Sequence, residues 1–419
     1  MRSVRLLRLP LAALLTGVAA GVGGALLTLL LHAVQHLAFG YSGSQPFIIG
    51  LEHAPPWRRV VGMATVGAVV GLGWWGLRRP GPVRGVRAAI ADPTLPLPVR
   101  RTTADALLQV AAVGGGASVG REGAPRQVGA LAGGLAAHRL GLGPARRRLL
   151  LAAGAGAGLA AVYNVPVSGV LFALIALSAF GGLRAVGLVD VMVVVIACGV
   201  ATVVAWPVVG NHSVYAVPPL SVDLGLLSWA VVGAVPCAGA AIGLNILARR
   251  AMDREPGPSW RLPASTTFAM AGVGLATIWW PGLSGNGKGL VELALAPTQV
   301  SPDAGHAAAT FALLCVLKIL ATSLCLRGGI VGGLLTPALA TGAALGAAVA
   351  LGLTAAGLAS SAASFGLVAA AGVLSVSHRS ALFATVFTWE LTHMPWQLAL
   401  ASALCSVLAR GVAKAVGRD

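Results

Sequence analysis

Apolar runs recur along the whole chain, and each is interrupted by Gly, Pro or a basic cluster. They cover residues 11–31, 60–77, 104–119, 127–140, 149–162, 167–180, 185–209 and 225–247. After a polar stretch at 249–263 they resume at 265–280, 305–326, 332–353, 365–376, 381–391 and 397–416. Runs of this length and number fit a bilayer, where each spanning helix takes about 20 residues. The 419 residues are 57% hydrophobic and 10% charged. A chain this apolar cannot cover its own surface in water. That excludes a soluble enzyme, a disordered protein and a disulfide scaffold. The length allows on the order of 14 to 18 helical segments. The first run follows a basic start but is too long for a signal peptide's apolar core, so it reads as the first span. The expected fold class is an all-α integral membrane protein in one domain, 1–419.

The formal charge of +17 sits at the edges of these runs. Arg2, Arg5 and Arg8 precede the first run. Arg78, Arg79, Arg84, Arg87, Arg100 and Arg101 flank one loop, and Arg139 and Arg146 to Arg148 flank another. Arg249, Arg250, Arg254 and Arg261 form a fourth cluster. The positive-inside rule then places the N-terminus and the 78–101 loop in the cytoplasm of a cell (inner) membrane. Without interleaved aromatics or a binding motif, this charge does not indicate a nucleic-acid partner. Cys198, Cys237, Cys315, Cys325 and Cys405 all fall in apolar runs at spacings that fit no zinc site, so no metal and no cofactor is expected.

Many runs are shorter than a full span. Short, interrupted runs at corresponding places in two halves indicate an inverted repeat with broken helices. The approximate halves are 1–248 and 264–419, with 249–263 as linker. Gly114 to Pro125 (GGGASVGREGAP) and Arg327 to Pro337 (RGGIVGGLLTP) are both Gly-rich, end in Pro and precede small-residue helices. Gly129 with Gly133, and Ala344 with Ala348 and Gly352, fall at four-residue spacing, as close helix packing in lipid requires.

The Gly120-Arg121-Glu122-Gly123-Ala124-Pro125 motif carries the sharpest chemistry. A carboxylate in apolar sequence is costly unless paired or functional. Gly and Pro around it fit a helix that starts inside the membrane. Such a start presents unpaired N–H groups and the positive end of the helix dipole, and so attracts anions. Deprotonated, Glu122 competes for the anion's place; protonated, it leaves. The alternative for Glu122 is a salt bridge to Arg121 or Arg126. Gly332-Gly333-Leu334-Leu335-Thr336-Pro337 supplies a second helix start of the same kind. Gly282 to Gly289 (GLSGNGKG) has phosphate-loop spacing, but Gly289 replaces the hydroxyl residue that Mg²⁺ needs. Lys288 instead adds positive potential to an anion entrance.

Together these segments resemble the CLC family of chloride channels and proton-coupled anion transporters. Gly120–Gly123 is similar to the family's GREG sequence at the gating glutamate, and Gly332–Pro337 to its GGxFxP anion motif. The stretch from Ala155 to Phe172 resembles the segment before the family's internal proton site. Ser284 to Leu295 resembles its GNGYG segment, and Thr388 to Leu398 its E-x-T-x-x-x-Q-L pattern. The resemblance implies a CLC-like inverted repeat with re-entrant helices, and a homodimer in membrane lipid with one pathway per subunit. It implies transport of chloride or other small anions, and no enzyme activity. Glu122 would gate, and Gly120, Arg121, Gly123, Gly333, Leu334 and Leu335 would bind the anion.

Four departures shape the expectation. Pro80 to Arg84 (PGPVR) replaces the family's serine motif. Leu335 replaces a phenylalanine. Ile175 and Ala176 stand where an internal proton-handling glutamate is usual. No C-terminal tyrosine helix and no CBS domains are expected in 1–419. With no internal proton carrier, the leading expectation is a passive channel gated by Glu122. The alternative is a proton-coupled Cl⁻ or F⁻ antiporter, since Thr336-Pro337 is similar to fluoride exporters of the family. Among weaker residues, Glu390, His378, His393 and Asp190 read as structural, and Asp105 as an N-terminal helix charge.

Overall fold

The computed structural model describes residues 2–41, 46–180, 186–218, 220, 222–296, 303–358 and 360–418, with side chains from Leu7 onward in the first helix. The side chains of Arg2 and Arg5, and the first residue of the 185–209 run, lie outside the described residues. Among the described residues there are eighteen α-helices and no strand, and an isolated bridge pairs Gly120 with Gly333. Six helices are long and apolar enough to cross a membrane, or seven spans if a bent pair counts as one. The all-helical membrane fold is therefore as the sequence implies.

The chain forms two compact units. The first comprises Met1–Leu31, Gly76–Val110 and Glu122–Val214. It contains most of α1 (Arg2–Phe39), then α4 (Val86–Ala91), most of α5 (Val99–Gly114), α6 (Gly123–Arg139), α7 (Pro144–Tyr163), α8 (Pro166–Ser178) and α9 (Leu188–Val209). Its centre is α7, buried without interruption from Leu149 to Tyr163. A helix buried all round needs small side chains to admit its neighbours. The run Ala152-Ala153-Gly154-Ala155-Gly156-Ala157-Gly158 supplies them. A Cβ on Gly129 or Gly133 of α6 would collide with the carbonyl oxygens of Gly154 or Leu150, so the expected Gly129/Gly133 stripe is the α6–α7 seam. Gly17 and Gly21 of α1 meet α9 in the same way. At one end Asp190 pairs with Arg146 at 3.1 Å and accepts the Gly187 N–H.

The second unit comprises His32–Trp75, Ala111–Arg121 and Tyr215–Asp419. It holds the end of α1, α2 (Phe47–His53), α3 (Pro56–Arg78) except its last residues, and α10 (Leu224–Val232) to α18 (Trp396–Ala415). The intervening helices are α11 (Ala234–Met252), α12 (Arg261–Ala276), α13 (Lys288–Leu295), α14 (Ala304–Arg327), α15 (Leu335–Ala355), α16 (Ala362–Ser377) and α17 (Ala381–Thr392). The 225–247 run is not one segment: α10 and α11 meet at Gly233 with a 45° bend. Pro236, the third residue of α11, has no N–H to continue the ladder into α10. The α15 seam also differs from the expected one. Gly342 and Gly346 press against the Ala369 and Phe365 carbonyls of α16, whereas Gly352 faces open space. The Ala344/Ala348/Gly352 spacing is real, but the closest approach follows Gly342 and Gly346, two residues earlier.

Candidate anion pathway

Two chain segments that are far apart in sequence meet in the second unit. Gly120 N–H donates to the Gly333 carbonyl at 2.8 Å, and Gly333 N–H donates to the Gly120 carbonyl at 2.9 Å. Glycine is needed at this crossing: a Cβ on Gly332 would collide with Val119. The bridge uses both amides. Gly120 and Gly333, expected as anion-binding amides, therefore spend their N–H groups on each other.

Downstream of Gly333, α15 begins at Leu335 with Leu334 as its cap residue and no side-chain cap. Pro337 is the third helical residue and has no N–H. The Thr336 hydroxyl is buried and makes no hydrogen bond. Downstream of Gly120, in the first unit, α6 repeats this construction: Glu122 is the cap residue, Gly123 the first helical residue and Pro125 the third. The Glu122 side chain does not cap its own helix. Its carboxylate is fully buried, 3.8 Å from Arg126 Nη2, while Arg126 Nε donates to the Glu122 carbonyl at 2.7 Å. A gap of 3.8 Å is longer than a charge-assisted hydrogen bond. The salt-bridge alternative thus exists geometrically, but as a loose pair. Arg126 also lies over the Phe172 ring, 5.0 Å from its centroid.

Behind Gly123 lies a network that sequence reasoning missed. Asp105 sits in the seventh position of α5 and is buried, so it is not a helix-start charge. It accepts hydrogen bonds from Gln109 at 2.8 Å and Gln127 at 2.9 Å. Its position follows from α5 beginning at Val99, a full turn earlier than the apolar run suggests. A side chain on Gly123 would strike the Gln109 amide oxygen.

Lys318 was also missed. It lies mid-way along α14, fully buried, and donates to Ser118 Oγ at 2.8 Å, the Gly285 carbonyl at 2.9 Å and the Leu283 carbonyl at 3.4 Å. Ser118 N–H in turn donates to Cys325 Sγ at 3.3 Å. Lys318 thereby ties the segment leading to Gly120 to the loop 282–287. A lone lysine in a 24-residue apolar helix was the available signal.

In that loop, Gly285 (φ +66°) and Gly287 (φ +103°) adopt left-handed backbone, and Gly285 N–H donates to the Gly116 carbonyl at 2.9 Å. Lys288 opens α13, half-buried, with its Nζ 3.7 Å from Glu292 Oε1. Arg121 is half-buried in the same unit. In the first unit, Arg84 of the Pro80–Arg84 loop is held by the carbonyls of Leu95, Ala88 and Asp92. Asp92 beside it is held below the usual carboxylate range, first by hydrogen bonds from Thr94 and further by the charges of Arg84 and Arg148. Ile175 and Ala176 lie on α8, and Ile175 is exposed. Glu390 is buried on α17.

A family described as "Voltage gated chloride channel" matches residues 74–414. A putative chloride channel protein ClcB-like from Ralstonia nicotianae is 28% identical over 417 residues, covering 95% of this chain and 92% of its own. A slow cyanobacterial Cl⁻/H⁺ antiporter has the same fold, with TM-score 0.81 at 21% identity, covering 98% of this chain and 95% of its own. A CLC-type fluoride/proton antiporter aligns with TM-score 0.72 at 19% identity, covering 98% and 96% respectively.

Proposed function

Because the chain belongs to the CLC family of voltage-gated chloride channels, a family of anion transport proteins, we propose that it is a passive pathway for chloride and related small anions, gated by protonation of Glu122. One observation carries this reading. The Gly120–Gly333 bridge fixes the segment that runs into Glu122 against the segment that runs into the start of α15. The start of α15 then presents the positive end of its helix dipole, which binds an anion without holding it as a full guanidinium would. Arg121 and Lys288 raise the potential on the approach. Gly120 and Gly333 shape the site through their bridge, and Gly123 lets α6 begin close to Gln109. Passive flux is favoured because Ile175 and Ala176 carry no proton. The protein acts as a homodimer in the cell's inner membrane.

The second reading is a proton-coupled Cl⁻ or F⁻ antiporter. The fold neighbours described as Cl⁻/H⁺ and fluoride/proton antiporters favour it, as does the buried Thr336 hydroxyl. The deciding experiment is flux from liposomes holding purified protein and either Cl⁻ or F⁻, read with anion and pH electrodes. Efflux with valinomycin and no proton movement is expected. Uphill proton entry driven by the anion gradient would replace the channel with the antiporter.

A further inference from the structure

Where α6 ends and α7 begins, the first unit holds a cavity of about 280 Å³ that the transport reading does not use. Four of its lining residues, Leu131, Gly134, Leu135 and His138, recur at three- and four-residue spacing and so form one stripe of α6. From His138 in the last turn, the stripe runs two helical turns inward, about 10 Å. Pro96 and Leu97 of the 92–98 loop add to the apolar lining, and Thr94 and Arg147 complete it. The cavity therefore joins an apolar wall to two basic side chains. Arg147 donates one hydrogen bond, from Nη1 to the Thr94 carbonyl at 3.4 Å, and its Nε is buried with no hydrogen-bond partner among the described residues. The neighbouring arginines are committed elsewhere. Arg146 pairs with Asp190 at 3.1 Å, and Arg148 donates to the Ile90 and Ala91 carbonyls. The single carboxylate of the loop, Asp92, accepts from Thr94 and lies 3.9 Å from Arg84. Arg147 thus keeps donors to spare, and among the described residues it has no ion pair.

We propose that this cavity binds an anionic glycerophospholipid of the cytoplasmic leaflet, with its phosphodiester at Arg147 and His138 and the start of one acyl chain along Leu97, Leu131 and Leu135. The positive-inside rule that sets the 78–101 loop in the cytoplasm sets Thr94, and Arg147 bonded to it, at the same side. An amphiphile matches both parts of the cavity at once. A phosphate takes up the spare guanidinium donors, and an acyl chain covers the leucine wall. A free phosphate satisfies the arginine but leaves the wall wet. A basic pocket between membrane helices on the cytoplasmic side is a general form of lipid headgroup site. Net charge then sets the preference among lipids. A zwitterionic headgroup brings its own ammonium towards exposed Arg139 and half-buried Arg148, which flank His138 and Arg147 in sequence. An anionic headgroup carries no such cation.

The test titrates dioleoylphosphatidylglycerol or dioleoylphosphatidylcholine into delipidated full-length protein in detergent, with bound lipid counted by native mass spectrometry. The wild type is expected to bind phosphatidylglycerol about tenfold more tightly than phosphatidylcholine. Arg147→Gln is expected to remove most of that preference and to leave phosphatidylcholine binding unchanged. Arg87→Gln is the control, since Arg87 is exposed on α4 and does not line the cavity. It is expected to keep the preference. An R147Q protein that still prefers phosphatidylglycerol overturns the site. So does an R87Q protein that loses the preference equally, because the lipid would then sense only the charge of the whole face. Inorganic phosphate added at matched ionic strength separates the two sources of the anion. It is expected not to displace phosphatidylglycerol from the wild type, and displacement overturns the lipid as occupant. If R147Q does not fold, Leu135→Trp replaces it, filling the cavity while keeping both basic side chains. There a loss of tight phosphatidylglycerol binding supports the site, and retention overturns it.

Discussion

Glu122 is a carboxylate kept from water and only loosely paired with Arg126. Glu122→Gln keeps the volume and removes the charge. Anion flux at pH 7.5 is expected to rise to the acid level of the wild type, and the pH profile to flatten. A Gln variant that retains the wild-type profile argues against the gate. Lys318→Met makes a different prediction. It leaves the Gly285 and Leu283 carbonyls and the Ser118 hydroxyl without their donor, each at a cost of about 1–3 kcal/mol. A clearly lower melting temperature in detergent is expected, with partial recovery in Lys318→Arg, which keeps the charge and donors. Glu122 stands out in the sequence because a carboxylate between glycines in apolar sequence is costly, and the structure buries it. Lys318 was not singled out, because its partners come from loops that only the fold brings together. Asp105 was misread for a related reason: a helix boundary displaced by a turn moved it from a terminus into the interior.

Among the elements, glycine sets the packing distance. The α6–α7 seam has no room for a methyl group at Gly129 or Gly133, since either would enter a backbone carbonyl of α7. Gly129→Leu is expected to destabilise by more than the usual overpacking cost of about 1–3 kcal/mol, because backbone gives way less readily than a side chain. Loss of the monodisperse peak in size-exclusion chromatography would report it. Gly352→Leu on α15 meets open space and is expected to leave that peak unchanged. The four-residue spacing was visible in the sequence for both helices. For α6 it marked the true seam. For α15 several small residues satisfied the same spacing, and only the position of α16 selects Gly342 and Gly346. The break between α10 and α11 was hidden for a comparable reason: hydropathy is continuous through Gly233 and Pro236, while the hydrogen-bond ladder is not.

For the whole molecule, the fold class was readable because composition leaves a chain this apolar few places to exist, and the order of motifs pointed to one family. The proposed amide sites depend on contacts the sequence does not show. The motifs mark two loops, and the structure joins them through a bridge that takes up the N–H groups of Gly120 and Gly333. The expected passive mechanism also belongs to this scale, and the electrode assay of paired anion and proton movement checks it. The bridge has a consequence for biosynthesis. Until the segment around Gly333 has entered the bilayer, the Gly120 amide and carbonyl have no partner, and an unsatisfied backbone group in lipid costs several kcal/mol. The first half of a nascent chain must therefore wait with the Gly120 segment unfinished, and the bridge forms only as the second half arrives.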